Sequence, residues 1–210
     1  MVKSKRMEKN LVLIFDFDGT IADTLNFIRT IFDFPRTKGF DWEDLKNKGA
    51  KEAFKSLGIS LAEIPFVLKR VRSILHQEVG KIKPIKGMEK ALPEIKTRSS
   101  QLGILTSCPQ ETVEKFLEIN NLNFFDFIYS ESDIFNKAKR LDNLLKEKRL
   151  DPQRVFYVGD ETRDVEAAKA AGVKTIAVTW GFNSERILKE QDPDYLVRQP
   201  QELVALLDNF

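Results

Sequence analysis

Six apolar runs, separated by stretches with helical periodicity, constrain this chain more than any other feature. They are Leu11–Phe15, Leu102–Leu105, Phe127–Tyr129, Val155–Val158, Thr175–Val178 and the shorter Tyr195–Val197. Most are continuous rather than alternating, as strands covered on both faces must be. Helical patterns lie between them at Gln110–Ile119, Lys137–Lys148, Thr162–Ala171 and Ser184–Lys189. Strand and helix in alternation predict an α/β fold, a Rossmann-like parallel sheet sandwiched by helices.

The alternation breaks once. About 80 residues separate the first run from the second, far more than an ordinary strand-to-helix connection needs. Within that gap Thr24–Phe32, Glu43–Ser56 and Leu61–Val79 read as helices, punctuated by Gly39, Gly58 and Gly80. This predicts a helical cap inserted after the first strand, over residues 23–82, on a catalytic core made of residues 1–22 and 83–210. The segment Lys83–Gly87 reads as the return linker.

A chain of 210 residues is long enough to bury a substantial core, and its 16 Phe supply much of it. Lys and Arg number 34 against 32 Asp and Glu, so global charge gives no sign of a polyanion-binding protein. Lys3, Lys5, Arg6 and Lys9 form a basic start too short to bind nucleic acid or a membrane, and it reads as a solvated arm. The single cysteine, Cys108, excludes an intramolecular disulfide. With no spanning apolar run and no signal-peptide core, a soluble cytoplasmic protein is expected. The single histidine, His76, excludes a mechanism needing several imidazoles and the common Cys/His zinc sites.

Four fragments carry chemistry. Phe15-Asp16-Phe17-Asp18-Gly19-Thr20 closes the first run. Alternation along a strand sends Asp16 and Asp18 the same way, into the crevice at the carboxyl end of a parallel sheet. Two carboxylates so close stay ionised together only beside a cation; the plainer alternative is a pair of turn-capping aspartates. Val158-Gly159-Asp160-Glu161-Thr162-Arg163-Asp164 ends another run and opens a helix. Asp160 and Asp164 there suit a hard octahedral cation such as Mg²⁺, or Asp160 or Thr162 caps the helix. Leu105-Thr106-Ser107 offers a hydroxyl and amides to an anion, or Ser107 is a cap. Lys137-Ala138-Lys139-Arg140 places a lysine where it can neutralise a phosphate, or is a basic surface turn. Cys108 reads as a small filler near the site.

The order Asp-x-Asp, hydroxyl, lysine, acidic pair resembles the haloacid dehalogenase superfamily, in its phosphoglycolate-phosphatase-like branch. DFDGT at 16–20 and GDETRD at 159–164 carry the resemblance, helped by Ala167–Val173 and Trp180-Gly181-Phe182. It covers residues 11–210 and implies a Mg²⁺-dependent phosphatase acting on a small-molecule phosphate monoester. Asp16 would be the nucleophile that becomes an aspartyl-phosphate, and Asp18 the general acid and base. Thr106, Ser107 and Lys137 would bind the phosphate. Asp16, the Asp18 carbonyl and Asp160 would hold the metal, with Asp164 acting through water or behind them. Two positions depart from the pattern: Ser107 stands where relatives often have Asn, and no proline comes after the lysine. Spacing favours Lys137 over Lys139 for that lysine. Arg29, Lys46 and Lys48 are candidates to meet an acidic leaving group.

Asp18 is missing in the dehalogenases themselves, so its presence points to phosphoryl chemistry. A phosphosugar mutase of the β-phosphoglucomutase type shares the same motifs and cap. A non-catalytic binding protein is a further alternative, but such a chain would be expected to have lost Asp16, Asp18, Lys137 or Asp160. The expected partner is a small phosphate ester, with no nucleic acid or membrane, and the chain a monomer or weak dimer.

Overall fold

The computed structural model describes residues 11–31, 41–131 and 136–210. The basic start, Gly39 and the Phe32 end of the first inserted helix lie outside the described residues. Six strands, β1 (Val12–Phe15), β2 (Gln101–Thr106), β3 (Phe127–Ser130), β4 (Val155–Gly159), β5 (Lys174–Val178) and β6 (Tyr195–Val197), form one sheet. Its order is β3-β2-β1-β4-β5-β6, and every adjacent pair is parallel.

The period-two geometry of a strand explains the two layers of the core. Leu13 and Phe15 of β1 pack with Leu102, Ile104, Phe156 and Val158 on one face. Val12 and Ile14 pack with Leu105, Val155 and Tyr157 on the other. Both faces are covered, so the strands need continuous apolar runs. Helices α5 (Met88–Arg98), α6 (Gln110–Ile119) and α10 (Pro200–Leu207) supply residues to the first face. Helices α7 (Lys137–Glu147) and α8 (Thr162–Ala171) cover the second, and α9 (Glu185–Glu190) packs Leu188 beside Val165 and Ala177. Phe116 of α6 is fully buried, its ring edge-on to Phe17 at 5.1 Å between centroids. Phe116→Ala is expected to cost about 3–5 kcal/mol in chemical denaturation; a loss under about 1 kcal/mol would contradict this packing.

Helices α1 (Thr24–Ile31), α2 (Trp42–Lys46), α3 (Ala50–Ser56) and α4 (Ile64–Gln77) come between β1 and β2 in the chain. Where the chain leaves the sheet and where it returns, it pairs with itself: Asp23 N donates to Lys83 O (2.8 Å) and Ile85 N to Ile21 O (2.9 Å). The stretch that reads as one helix over Glu43–Ser56 is two, α2 and α3, parted near Gly49. At the break the Lys46 and Lys48 carbonyls accept instead from the Asn183 side chain, and Ser184 N also donates to Lys46 O. Two helices, α5 and α10, go beyond those anticipated from the sequence.

Candidate active site

The chain order of the strands reverses at β1, which lies between β2 and β4. That switch point leaves a crevice beyond the carboxyl ends of the central strands. Asp16 comes directly after β1 there, held by its amide to Val158 O at 2.8 Å. The Phe17 carbonyl then accepts the amides of Ile21 and Ala22, both at 3.0 Å, which folds DFDGT into a tight turn. Gly19 is required twice: its φ is +77°, and a Cβ would sit 2.4 Å from an Asp160 carboxylate oxygen.

Asp16 is buried, with Oδ1 accepting the Phe17 amide at 2.8 Å and Oδ2 meeting Lys137 Nζ at 2.5 Å. Lys137 begins α7, is itself buried, and also donates to Asp164 Oδ1. Burial alone would lower the Lys137 ammonium pKa, but Asp16 and Asp164 raise it well above the ordinary lysine value. Lys139 is exposed on the same helix, so of the two candidate lysines Lys137 is the one that reaches Asp16.

Asp160 is fully buried and held on both oxygens: Thr20 Oγ1 donates to Oδ1 at 2.6 Å and the Phe182 amide to Oδ2 at 2.7 Å. Gly181 lets the 180–182 segment approach; a Cβ there would lie 2.1 Å from Asp160 Oδ2. The capping alternatives fall to other residues. Glu161 N donates to Asp164 Oδ2 (2.9 Å), and Thr162 N to Asn183 Oδ1 (2.8 Å).

Asp16, Asp160 and Asp164 bring carboxylate oxygens within 4.8 Å of one another. Burial, reinforced by Glu161, Asp164 and Asp16, pushes Asp160 well above the usual carboxyl range. Burial also raises Asp164 to about 6, against the pull of Lys137. A group of buried oxygen donors with no imidazole or thiolate fits a hard divalent cation.

Asp18 is half-buried, and its Oδ1 is enclosed with no hydrogen-bond partner among the described residues. Burial and the neighbouring Asp16 raise its pKa to about 6, partly countered by the Thr24 hydroxyl. Asp16, Asp18, Ser107, Lys137, Arg140 and Arg163 line one small recess. Thr106 is fully buried just behind, its Oγ1 accepting the Cys108 amide at 3.0 Å. Three cationic groups facing a hydroxyl and two carboxylates suit a phosphate better than an uncharged group.

Arg140 and Arg163 were not anticipated from the sequence. Arg140 lies three residues after Lys137, on the same face of α7, and donates to the Thr106 carbonyl. Arg163 sits inside GDETRD and pairs with Glu161 Oε1 at 2.5 Å. Neither signal was strong, since an arginine beside an acidic motif is usually a surface partner. Arg29 stacks over Trp42, with its guanidinium carbon 5.0 Å from the ring centroid. Lys46 pairs with Glu43 and Lys48 with Asp44; none of these three lines the recess. His76 is exposed, with Nδ1 2.8 Å from Thr112 Oγ1, and does not line the recess. Buried Cys108 carries a thiol pKa raised by desolvation. No helix among the described residues is long and apolar enough to cross a membrane.

The sequence model of the haloacid dehalogenase-like hydrolases matches residues 13–178. A phosphoglycolate phosphatase of Synechococcus elongatus is 32% identical over 200 residues, covering 91% of this chain and 94% of that protein. A pyrophosphatase of Halalkalibacterium halodurans is 27% identical over 215 residues, covering 96% and 98%. A predicted phosphatase from Clostridium acetobutylicum superposes with a TM-score of 0.79 at 22% identity, over 96% of this chain and 99% of that one, which shows a shared fold. Motif order, sheet topology and the extent of these matches agree, and the chain belongs to the haloacid dehalogenase-like hydrolase family.

Proposed function

We propose that this protein is a Mg²⁺-dependent phosphatase that hydrolyses a small-molecule phosphate monoester through an aspartyl-phosphate on Asp16. The observation that carries this reading is the convergence of Asp16, Asp18 and Lys137 on one recess, with Asp160 and Asp164 behind. Asp16, Asp160 and the Asp18 carbonyl would hold the metal, with Asp164 behind them. When bound, the ion supplies positive charge that offsets the repulsion between the Asp16 carboxylate and the phosphate.

The Asp16 carboxylate attacks phosphorus as the bond to the leaving oxygen breaks. Lys137, at 2.5 Å from Asp16 Oδ2, stabilises the charge that develops on the phosphoryl oxygens. The Thr106 hydroxyl accepts the Cys108 amide and retains its own proton to donate to the phosphate. Ser107 and the neighbouring amides complete that grip. Asp18 gives its proton to the leaving oxygen, and the resulting carboxylate takes a proton from the water that splits the acyl-phosphate. Free phosphate leaves and Asp16 is restored.

Residues 23–82 act in this reading as a cap that closes over the recess and excludes water during the first step. A cytoplasmic setting, a monomer or weak dimer, and the absence of nucleic-acid or membrane partners belong to the same proposal, and the balanced charge supports the absence of a nucleic-acid partner. The test is phosphate release from a panel of small phosphate esters, with Mg²⁺ and with EDTA. Release is expected with Mg²⁺ and a loss of at least about 100-fold with EDTA. Release that persists undiminished in EDTA, or an isomer appearing in place of free phosphate, would sink this reading.

A further inference from the structure

We infer that the ester cleaved here carries an apolar leaving group several carbons long, rather than a compact acidic one. The inference rests on the phosphatase reading above and concerns the same site. A cavity of about 850 Å³ adjoins the small recess, in the upper part of the roughly 300–1,000 Å³ that small-molecule sites occupy. Asp18, Ser107, Lys137 and Arg163 line both spaces. A phosphoryl group seated in the recess therefore directs its ester oxygen and the carbon chain attached to it into the cavity.

The wall built by the inserted helices and their connections is apolar, with Leu25, Trp42, Phe54, Ile59, Leu68 and Val71 among its residues. Among the described residues of that wall, Lys51, Glu52 and Arg72 alone bring charge. Lys51 and Glu52 are exposed, and Arg72 is half-buried. The opposite wall combines Ala167, Ala170 and Phe182 with the charged Asp160, Glu161, Arg163 and Glu166. A two-carbon acidic group would fill little of this space and would leave the alkyl and aryl side chains of the inserted helices against water. An alkyl or aryl group would displace water from the apolar wall of the inserted helices.

The test uses the full-length protein with Mg²⁺ and alkyl esters of matched intrinsic reactivity, ethyl, butyl and hexyl phosphate, with 2-phosphoglycolate alongside. Each fully buried methylene is worth up to roughly fourfold, so kcat/KM should rise on the order of tenfold or more from ethyl to hexyl phosphate. Hexyl phosphate should also exceed 2-phosphoglycolate. A flat series, or 2-phosphoglycolate as the better substrate, overturns the apolar assignment and leaves the phosphatase reading standing. No phosphate release from any ester overturns the phosphatase reading, and this inference with it.

Gly49→Leu tests the placement. Gly49 lines the cavity, and a Cβ added there meets nothing within 4 Å. In protein whose thermal unfolding matches the wild type, the hexyl-to-ethyl ratio should fall at least threefold. A ratio that does not move overturns the placement of the alkyl chain in this cavity.

Discussion

Asp16→Asn is expected to lower kcat by at least about 10³-fold, the scale on which loss of an attacking nucleophile is felt. The substitution keeps the size of the side chain and the Oδ1 acceptor for the Phe17 amide. It removes the negative oxygen that meets Lys137 Nζ at 2.5 Å. The change is therefore a chemical one made within nearly the same packing. Phosphate release and the acid-labile phosphorylated protein should both disappear, while thermal unfolding shows the chain still folded. A variant that kept most of its turnover would mean that another group attacks phosphorus.

Asp18→Asn should slow turnover by roughly 10²–10⁴, the usual contribution of a positioned acid and base. Asp18 shares the recess with Asp16, yet Lys137 bonds to Asp16 and Asp164 and not to it. Its enclosed Oδ1 lacks a partner among the described residues, which leaves it able to exchange a proton with substrate or water. An asparagine there can donate a hydrogen bond but can neither release a proton nor accept one from the attacking water. The second half-reaction should suffer more, because water needs a base, whereas a good leaving group departs with little help. The phosphorylated chain should then accumulate, visible by mass spectrometry as one added phosphoryl group. In kcat/KM, which reports the first half-reaction, a 4-nitrophenyl ester should lose less than an alkyl ester, whose leaving oxygen needs the proton. Equal turnover in wild type and variant would remove Asp18 from the mechanism.

Much of this architecture was legible in the chain. The runs closing at Phe15, Leu105, Tyr129, Val158 and Val178 carried the parallel sheet, because a strand buried on both faces has little alternative to a continuous apolar stretch. DFDGT and GDETRD marked the crevice, because short polar segments that end apolar strands leave the sheet at its ligand-binding edge. Helix boundaries in the inserted segment were less legible. The Glu43–Ser56 pattern runs through without a strong break, and what parts it near Gly49 is a set of carbonyls bonded by Asn183 and Ser184, over 130 residues away. Helix α5 carries Pro93 in its interior, which masks the spacing of Met88, Ala91, Leu92 and Ile95.

The sequence by itself determined the fold class, the two acidic motifs and the residue types available to them, because apolar periodicity and side-chain chemistry are local properties. Spacing already favoured Lys137 over Lys139, and the packing of the helix shows why Lys137 is the one that meets Asp16. The tertiary structure turned Lys137 inward between Asp16 and Asp164 and left Lys139, two residues on, exposed, since residues two apart on a helix face different ways. It also brought Arg140 and Arg163 to the recess and set Thr20 and the Phe182 amide on Asp160. These contacts join segments as much as 140 residues apart, and only the packing of helices against a closed order of strands brings such segments to one point.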